Sequence, residues 1–209
     1  VESGVTYTYS VKSGNGYGDS GFYATGVSQL YLKSATITTI SNVNNSVRIM
    51  WGAVAGAEHY AVYRQETGSE KWVLLEKTAS SKLYYEDSTV QSNKRYNYCV
   101  ATENGTVSSV VGSQNKYHKF LGAPVFTESR NAENGVKLSW NNVVGAVNYE
   151  LYRKNSANDE WVLLATVKGN SYIDESIEKG NTCFYALKTV GSDTKSSMNS
   201  AVSVSRVTA

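Results

Sequence analysis

The sequence is short of the residues from which most active sites are assembled. Its 209 residues include two histidines, two cysteines, two methionines and a single proline, Pro124. Two cysteines cannot make a disulfide-dense scaffold, and His59 and His118 lack the closely spaced partners that a zinc site requires. Charge of one sign is missing as well. Twenty Lys and Arg stand against 18 Asp and Glu, a net charge of +2, which gives no support to a nucleic-acid partner or an anionic membrane surface. No segment concentrates charge either: residues 1–33 carry two of each sign, 34–121 carry nine basic and seven acidic, and 122–209 carry nine of each. No apolar run approaches the roughly 20 residues of a membrane-spanning helix, and the first residues do not read as a signal peptide. No apolar series keeps helical spacing over three turns. The expectation is a soluble piece of a longer chain.

What the sequence does hold is 16 Tyr, 4 Trp and 17 Gly against only 4 Phe. Set among frequent Val, Thr and Ser, these form a strand-building palette with turn residues between short segments. The fold class is therefore all-β.

An internal repeat organises the chain. Val47-Arg-Ile49-Met-Trp51, Gly56-Ala57 and Tyr60-Ala-Val62-Tyr63-Arg64 return as Val136-Lys-Leu138-Ser-Trp140, Gly145-Ala146 and Tyr149-Glu-Leu151-Tyr152-Arg153, each 89 positions later. Trp72-Val-Leu74-Leu75 and Trp161-Val-Leu163-Leu164 keep that spacing. Tyr85-Glu-Asp87 and Tyr172-Ile-Asp174 are 87 apart, as are Tyr96-Asn-Tyr98-Cys-Val100 and Cys183-Phe-Tyr185-Ala-Leu187, so the second copy has lost two residues in a turn. Tyr7-Thr-Tyr9-Ser-Val11 lies 89 residues before the Tyr96 strand. Three segments follow: 1–33, the last two strands of an incomplete repeat; 34–121, a full repeat; and 122–209, a second full repeat. A full copy of about 88 residues matches the size of a seven-stranded sandwich. In the second copy the strands are expected near 124–130, 136–140, 148–154, 160–167, 171–174, 182–190 and 196–206, with turns at Glu133-Asn134-Gly135 and Glu178-Lys179-Gly180. The links Lys33-Ser34 and Phe120-Leu121-Gly122 are short and unlike flexible tethers.

Strand alternation assigns the faces. Tyr96, Tyr98 and Val100 face inward with their counterparts Tyr7, Tyr9 and Val11, whereas Asn97 and Cys99 face outward. Trp51 and Trp140 pack against Tyr60 and Tyr149 across the core. Two strands without their sheet partners at residues 1–33 would expose backbone edges, so that segment is expected to pair with a neighbouring chain, to pack on residues 34–121, or to be completed by a separate piece that carries the front of the repeat.

The order Trp, Gly-Ala-x-x-Tyr-x-Val/Leu-Tyr-Arg, Trp, Tyr-x-Asp, Tyr-x-Tyr-x-Val resembles fibronectin type III domains, most of all those strung in tandem in extracellular proteins of Gram-positive bacteria. The resemblance covers nearly the whole chain. It implies tandem immunoglobulin-like β-sandwiches and a tyrosine corner at Tyr7 and Tyr96, with Cys183 standing where the last copy would need a tyrosine. The Arg-Gly-Asp adhesion tripeptide of some animal members does not occur.

Candidates for chemistry are few. Cys99 and Cys183 lie in different copies and are expected to be free thiols, Cys183 in the core and Cys99 on the outer face. The recurring Asp87 and Asp174 are expected to accept bonds from turn amides. Asp159-Glu160 and Asn15-Gly16-Tyr17-Gly18-Asp19 do not follow the spaced acidic loop of a calcium site, and Gly14 to Gly18 reads as a hairpin loop with no helix after it. No catalytic, cofactor-binding or metal-binding residues are assigned. The one functional signal is aromatic: Tyr63, Trp72, Tyr152 and Trp161, with the tryptophans on the fourth strand at a sheet edge, offer rings that could stack on sugar faces or anchor a protein. The competing view is that they cover the core edge and pack on the stems of Arg64 and Arg153. The expected function is a non-catalytic extracellular spacer or adhesion segment of a larger bacterial surface or secreted protein. Its partners would be the other modules of that protein and possible protein or polysaccharide ligands, with neither nucleic acid nor membrane insertion. A glycan-binding module using the four rings is the alternative.

Overall fold

The computed structural model describes residues 1–207; the last two residues of the segment 122–209 lie outside the described residues. Seventeen strands and no helix make up the secondary structure among them. In chain order these are β1 (Val5–Tyr9), β2 (Val27–Tyr31), β3 (Ile37–Val43), β4 (Ser46–Trp51), β5 (His59–Glu66), β6 (Val73–Ala79), β7 (Tyr84–Asp87), β8 (Arg95–Asn104), β9 (Val107–Ser108) and β10 (Lys116–Lys119). They continue as β11 (Phe126–Ala132), β12 (Gly135–Trp140), β13 (Asn148–Lys154), β14 (Val162–Val167), β15 (Ser171–Asp174), β16 (Thr182–Val190) and β17 (Val202–Ser205). The strands expected in the second copy are all present. The first begins slightly later, the fourth starts at Val162, and the last is confined to Val202–Ser205.

The chain forms two compact units. One comprises Val1–Ile40, Ile49–Tyr85 and Asn97–Tyr117; the other comprises Ser41–Arg48, Glu86–Tyr96 and His118–Ala209. In the second unit, β11-β12-β15 form a three-stranded sheet and β14-β13-β16-β17 a four-stranded one. The inward residues of the two sheets make one core: Val136, Leu138 and Trp140 from β12, Tyr149 and Leu151 from β13, Tyr185 and Leu187 from β16, and Val204 from β17. Alternation places these side chains on one face of each strand, so burying them requires the sheets to stack face to face. The β3–β10 region repeats the plan, with a sheet β3-β4-β7 and a second sheet β10-β8-β5-β6 to which β9 adds beside β8. The architecture is all-β, with immunoglobulin-like sandwiches in tandem.

Both copies place the same irregularity on the same strand. The register of β5 on β6 slips between Val62 and Tyr63, and that of β13 on β14 slips between Leu151 and Tyr152. One extra residue bulges from the edge strand in each case, Leu75 and Leu164.

In the first unit β1 and β2 pair antiparallel, Val5 opposite Tyr31 and Tyr9 opposite Val27. Between them Gly14 bridges Asp19, the hairpin expected of the glycine-rich loop, and Asp19 pairs with Lys12. The expected packing on residues 34–121 is present: the Ser3 hydroxyl donates to the Ala55 carbonyl at 3.0 Å. The inward assignment of the β1 face needs correction. Tyr98 and Val100 are fully buried, but Tyr9 is 55% and Val11 77% exposed. Alternation fixes which side chains share a face, but burial needs a facing sheet, and this two-stranded ribbon has none.

Candidate functional site

The repeated aromatics build cores. The Trp51 and Tyr60 rings meet edge to face with centroids 5.6 Å apart, and Trp140 and Tyr149 do the same at 5.6 Å. Each tyrosine has a second task. The Tyr60 hydroxyl accepts the Val54 N–H at 2.8 Å, and the Tyr149 hydroxyl accepts the Val143 N–H at 3.0 Å, pinning the turn that follows the tryptophan strand. The tyrosine corner expected at Tyr96 is formed, its hydroxyl accepting the Gln91 N–H at 3.0 Å, and Tyr7 forms the same bond with Glu2 at 2.7 Å. Cys183 brings no hydroxyl to that place in the last copy. There the Arg206 guanidinium reaches the Ile177 carbonyl at 2.7 Å, and a groove of about 540 Å³ opens beside Arg153, Asn155, Ser176 and Cys183.

The recurring aspartates accept turn amides as expected. Asp87 takes the N–H and hydroxyl of Thr89 at 2.9 and 2.7 Å; Asp174 takes those of Ser176 at 3.0 and 2.7 Å. Asp174 also receives Arg153 Nη1 at 2.9 Å and the Tyr185 hydroxyl at 2.8 Å on its other oxygen. Burial alone would raise its pKa, but the bonds from Ser176, Arg153 and Tyr185 outweigh that and hold it below the ordinary carboxylate value. The Tyr185 hydroxyl is pushed well above the ordinary phenol range, first by burial and then by the neighbouring carboxylate. Sequence spacing marked Asp174 but not this cluster, because Arg153 and Tyr185 reach it from strands of the other sheet.

The cysteines are free. Cys99 requires a correction: it is 1% exposed rather than outward-facing, because the Gly112 segment lies over it and the Gly112 N–H points at its sulfur from 3.1 Å. Burial pushes the Cys99 thiol up to about 11 and raises Cys183 too. Neither sulfur has an imidazole or carboxylate bonded to it among the described residues; Cys183 lies 3.5 Å from the Asn155 amide oxygen. His59 is exposed. His118 is half-buried against Asn42 at 2.7 Å, and burial lowers its pKa. Among the described residues no three His, Cys, Asp or Glu side chains converge as a metal site.

The four candidate rings are all half-buried. Tyr63 on β5 and Tyr152 on β13 lie just past the register slips opposite the bulged Leu75 and Leu164. Trp72 and Trp161 precede β6 and β14 instead of lying within them, a correction to their placement on the fourth strand. Three of the rings have evident local neighbours. The Tyr152 hydroxyl donates to Glu150 at 2.9 Å while the Lys188 ammonium sits 5.4 Å from its ring. Lys154 lies 4.9 Å from the Trp161 ring, so the cation over the ring comes from lysine and not from Arg153. The Trp72 indole nitrogen borders Gly112, where any Cβ would come within 2.9 Å of it. A groove of about 420 Å³ is lined by Arg153, Lys154, Asp159, Glu160 and Leu163 among others, and neither the Trp161 nor the Tyr152 ring lines it.

Solved structures that resemble the chain include fibronectin type III proteins. A Fn3-like protein from Clostridium thermocellum covers 42% of this chain and 98% of its own at 19% identity and a TM-score of 0.37. A two-domain fibronectin type III segment of chicken tenascin covers 83% of this chain and 99% of its own at 12% identity and a TM-score of 0.39. The chicken CNTN1 FN1-FN3 domains cover 84% of this chain and 66% of their own at 14% identity and a TM-score of 0.35. No family model matches the sequence. No curated protein matches it.

Proposed function

We propose that the chain is a non-catalytic spacer or adhesion segment of a larger extracellular bacterial protein, with residues 1–33, 34–121 and 122–209 as successive repeats of one module. The observation that carries this reading is where the repeated residues go. Trp51, Tyr60, Trp140 and Tyr149 are each less than 4% exposed, and the carboxylate of Asp174 is engaged by Ser176, Arg153 and Tyr185. A residue that recurs in both full copies and is buried in each serves the copy itself, and what tandem copies then provide is length. Partners are the neighbouring modules of the same protein. The test is a series of chains carrying one, two and three added copies of the 122–207 segment, measured by small-angle X-ray scattering. A maximum dimension that grows by a constant increment supports the spacer; one that stays constant as copies are added overturns it.

The partial exposure of the four rings supports one second reading, a glycan-binding module using Tyr63 and Trp72 in one copy and Tyr152 and Trp161 in the other. Affinity electrophoresis through a panel of soluble polysaccharides tests it. Retardation by one of them that is lost in Trp161→Ala supports this reading, and unchanged mobility in all of them removes it.

A further inference from the structure

The Gly-Ala dipeptides at Gly56-Ala57 and Gly145-Ala146 recur with the repeat; Ala146 packs against the core of its sandwich, but the glycines have no side chain to place there. Their glycine backbones stand at φ +83° and +90°, the left-handed region open to glycine. Each turn is covered by the segment of the preceding repeat that leads into its tyrosine corner. A Cβ on Gly56 would stand 2.4 Å from the Gly4 Cα, and one on Gly145 would stand 2.6 Å from the Asn93 Cγ. Gly4 and Asn93 are 89 positions apart and both left-handed, at φ +84° and +68°.

The hydrogen bonds around these contacts repeat atom for atom. The Ser3 hydroxyl donates to the Ala55 carbonyl at 3.0 Å, and the Ser92 hydroxyl donates to the Val144 carbonyl at 2.8 Å. The same hydroxyls accept linker N–H groups, Ser3 from Lys33 at 3.2 Å and Ser92 from Gly122 at 3.0 Å. The Gly4 N–H donates to the Tyr31 carbonyl and the Asn93 N–H to the Phe120 carbonyl, both at 2.8 Å. The linker leucines Leu32 and Leu121 are buried. Every pair of positions, 3 and 92, 4 and 93, 31 and 120, 33 and 122, 55 and 144, is separated by the repeat length of 89. The first joint lies wholly within the first compact unit and the second wholly within the second. The second joint adds ion pairs from Arg95 and Lys119 to Asp193 and a bond from Asn42 to the Lys195 carbonyl at 3.1 Å.

We propose that the Ala55-Gly56 and Val144-Gly145 turns are docking surfaces whose partner is the serine turn of the preceding repeat, Ser3-Gly4 or Ser92-Asn93, and that the serine hydroxyl, by bridging linker and turn, holds each joint in a single orientation. Glycine is needed at 56 and 145 for backbone angle and for clearance. Ser3 and Ser92 are positioning residues with no part in any core. The proposal rests on the reading of the chain as tandem repeats, and it adds that their couplings are built to be stiff.

Double electron–electron resonance on the full chain tests it, with spin labels at Ser88→Cys and Lys168→Cys, both exposed and both in the second compact unit, one on each side of its joint; the two native thiols are buried. A single narrow distance is expected in the parent, broadened about twofold in Ser92→Ala and in Gly145→Ala. Gly180→Ala supplies the control for backbone strain, because Gly180 is also left-handed at φ +87° but has nothing within 4 Å of the place a Cβ would occupy, and its distance distribution should stay narrow. A parent distribution already broad, or one unchanged in Ser92→Ala and Gly145→Ala while both remain folded by circular dichroism, overturns the clamp. Either of those results leaves the spacer reading to its own scattering test, since a flexible array also grows with added copies.

Discussion

Arg153 donates from Nη1 to the carboxylate of Asp174 at 2.9 Å, across the gap between the two sheets of the second sandwich. Asp174 is 1% exposed and Arg153 retains about a quarter of its side-chain surface, so the pair is largely withdrawn from water. A buried ion pair is weak evidence of net stabilisation, but removing one partner strands the other. Asp174→Ala is expected to cost about 3–5 kcal/mol, read from the urea midpoint of the second sandwich. The pH dependence follows from the lowered folded-state pKa of Asp174. Its contribution is complete above the unfolded carboxylate value of about 3.9 and is lost as pH falls through the lower folded value. Acid titration of the parent should therefore show a loss of stability below about pH 4 that is smaller in Asp174→Ala. Equal acid sensitivity in the two proteins would refute this assignment.

The paired roles of Tyr60 and Tyr149 can be separated. Tyr149→Phe keeps the ring against Trp140 but leaves the Val143 N–H without its acceptor, at a cost of about 1 kcal/mol. Trp140→Ala removes the large partner and should cost about 3–5 kcal/mol. Among the described residues neither Trp51 nor Trp140 has a hydrogen-bond partner for its indole N–H, so the loss on truncation is packing. Thermal and urea unfolding of the two variants measure both figures, and a Tyr149→Phe cost as large as that of Trp140→Ala would contradict the division.

Both thiols should be silent in the native protein. With Cys99 pushed up to about 11 and both side chains buried, a disulfide reagent at pH 8 meets neither thiolate nor access. The expected result is two thiols released only after denaturant is added. Rapid native labelling of Cys99 would mean that the Gly112 segment does not stay over it.

The parts of the fold readable from sequence were those carried by local pattern. The strand alternation and the turn aspartates each depend on residues close together in the chain, and the echo of Trp51 in Trp140 is one such local pattern met again 89 positions on. What stayed hidden depended on which segments meet. Cys99 follows the outward alternation of its strand and is buried because a loop some 13 residues away folds over it. Tyr9 and Val11 follow the inward alternation and are exposed because no second sheet faces them. The bridging hydroxyls of Ser3 and Ser92 give no local signal at all; they emerge only when one repeat is laid over the next.

The bulges at Leu75 and Leu164 carry a consequence for how such chains behave when crowded. β6 and β14 are the outermost strands of their sheets, and β14 displays Val162 and Leu163 to solvent. A straight border with that much greasy surface would invite a stray strand to zip alongside. The extra residue kinks that border and interrupts its regular row of amides, so each module carries its own guard against lateral fusion with its neighbours.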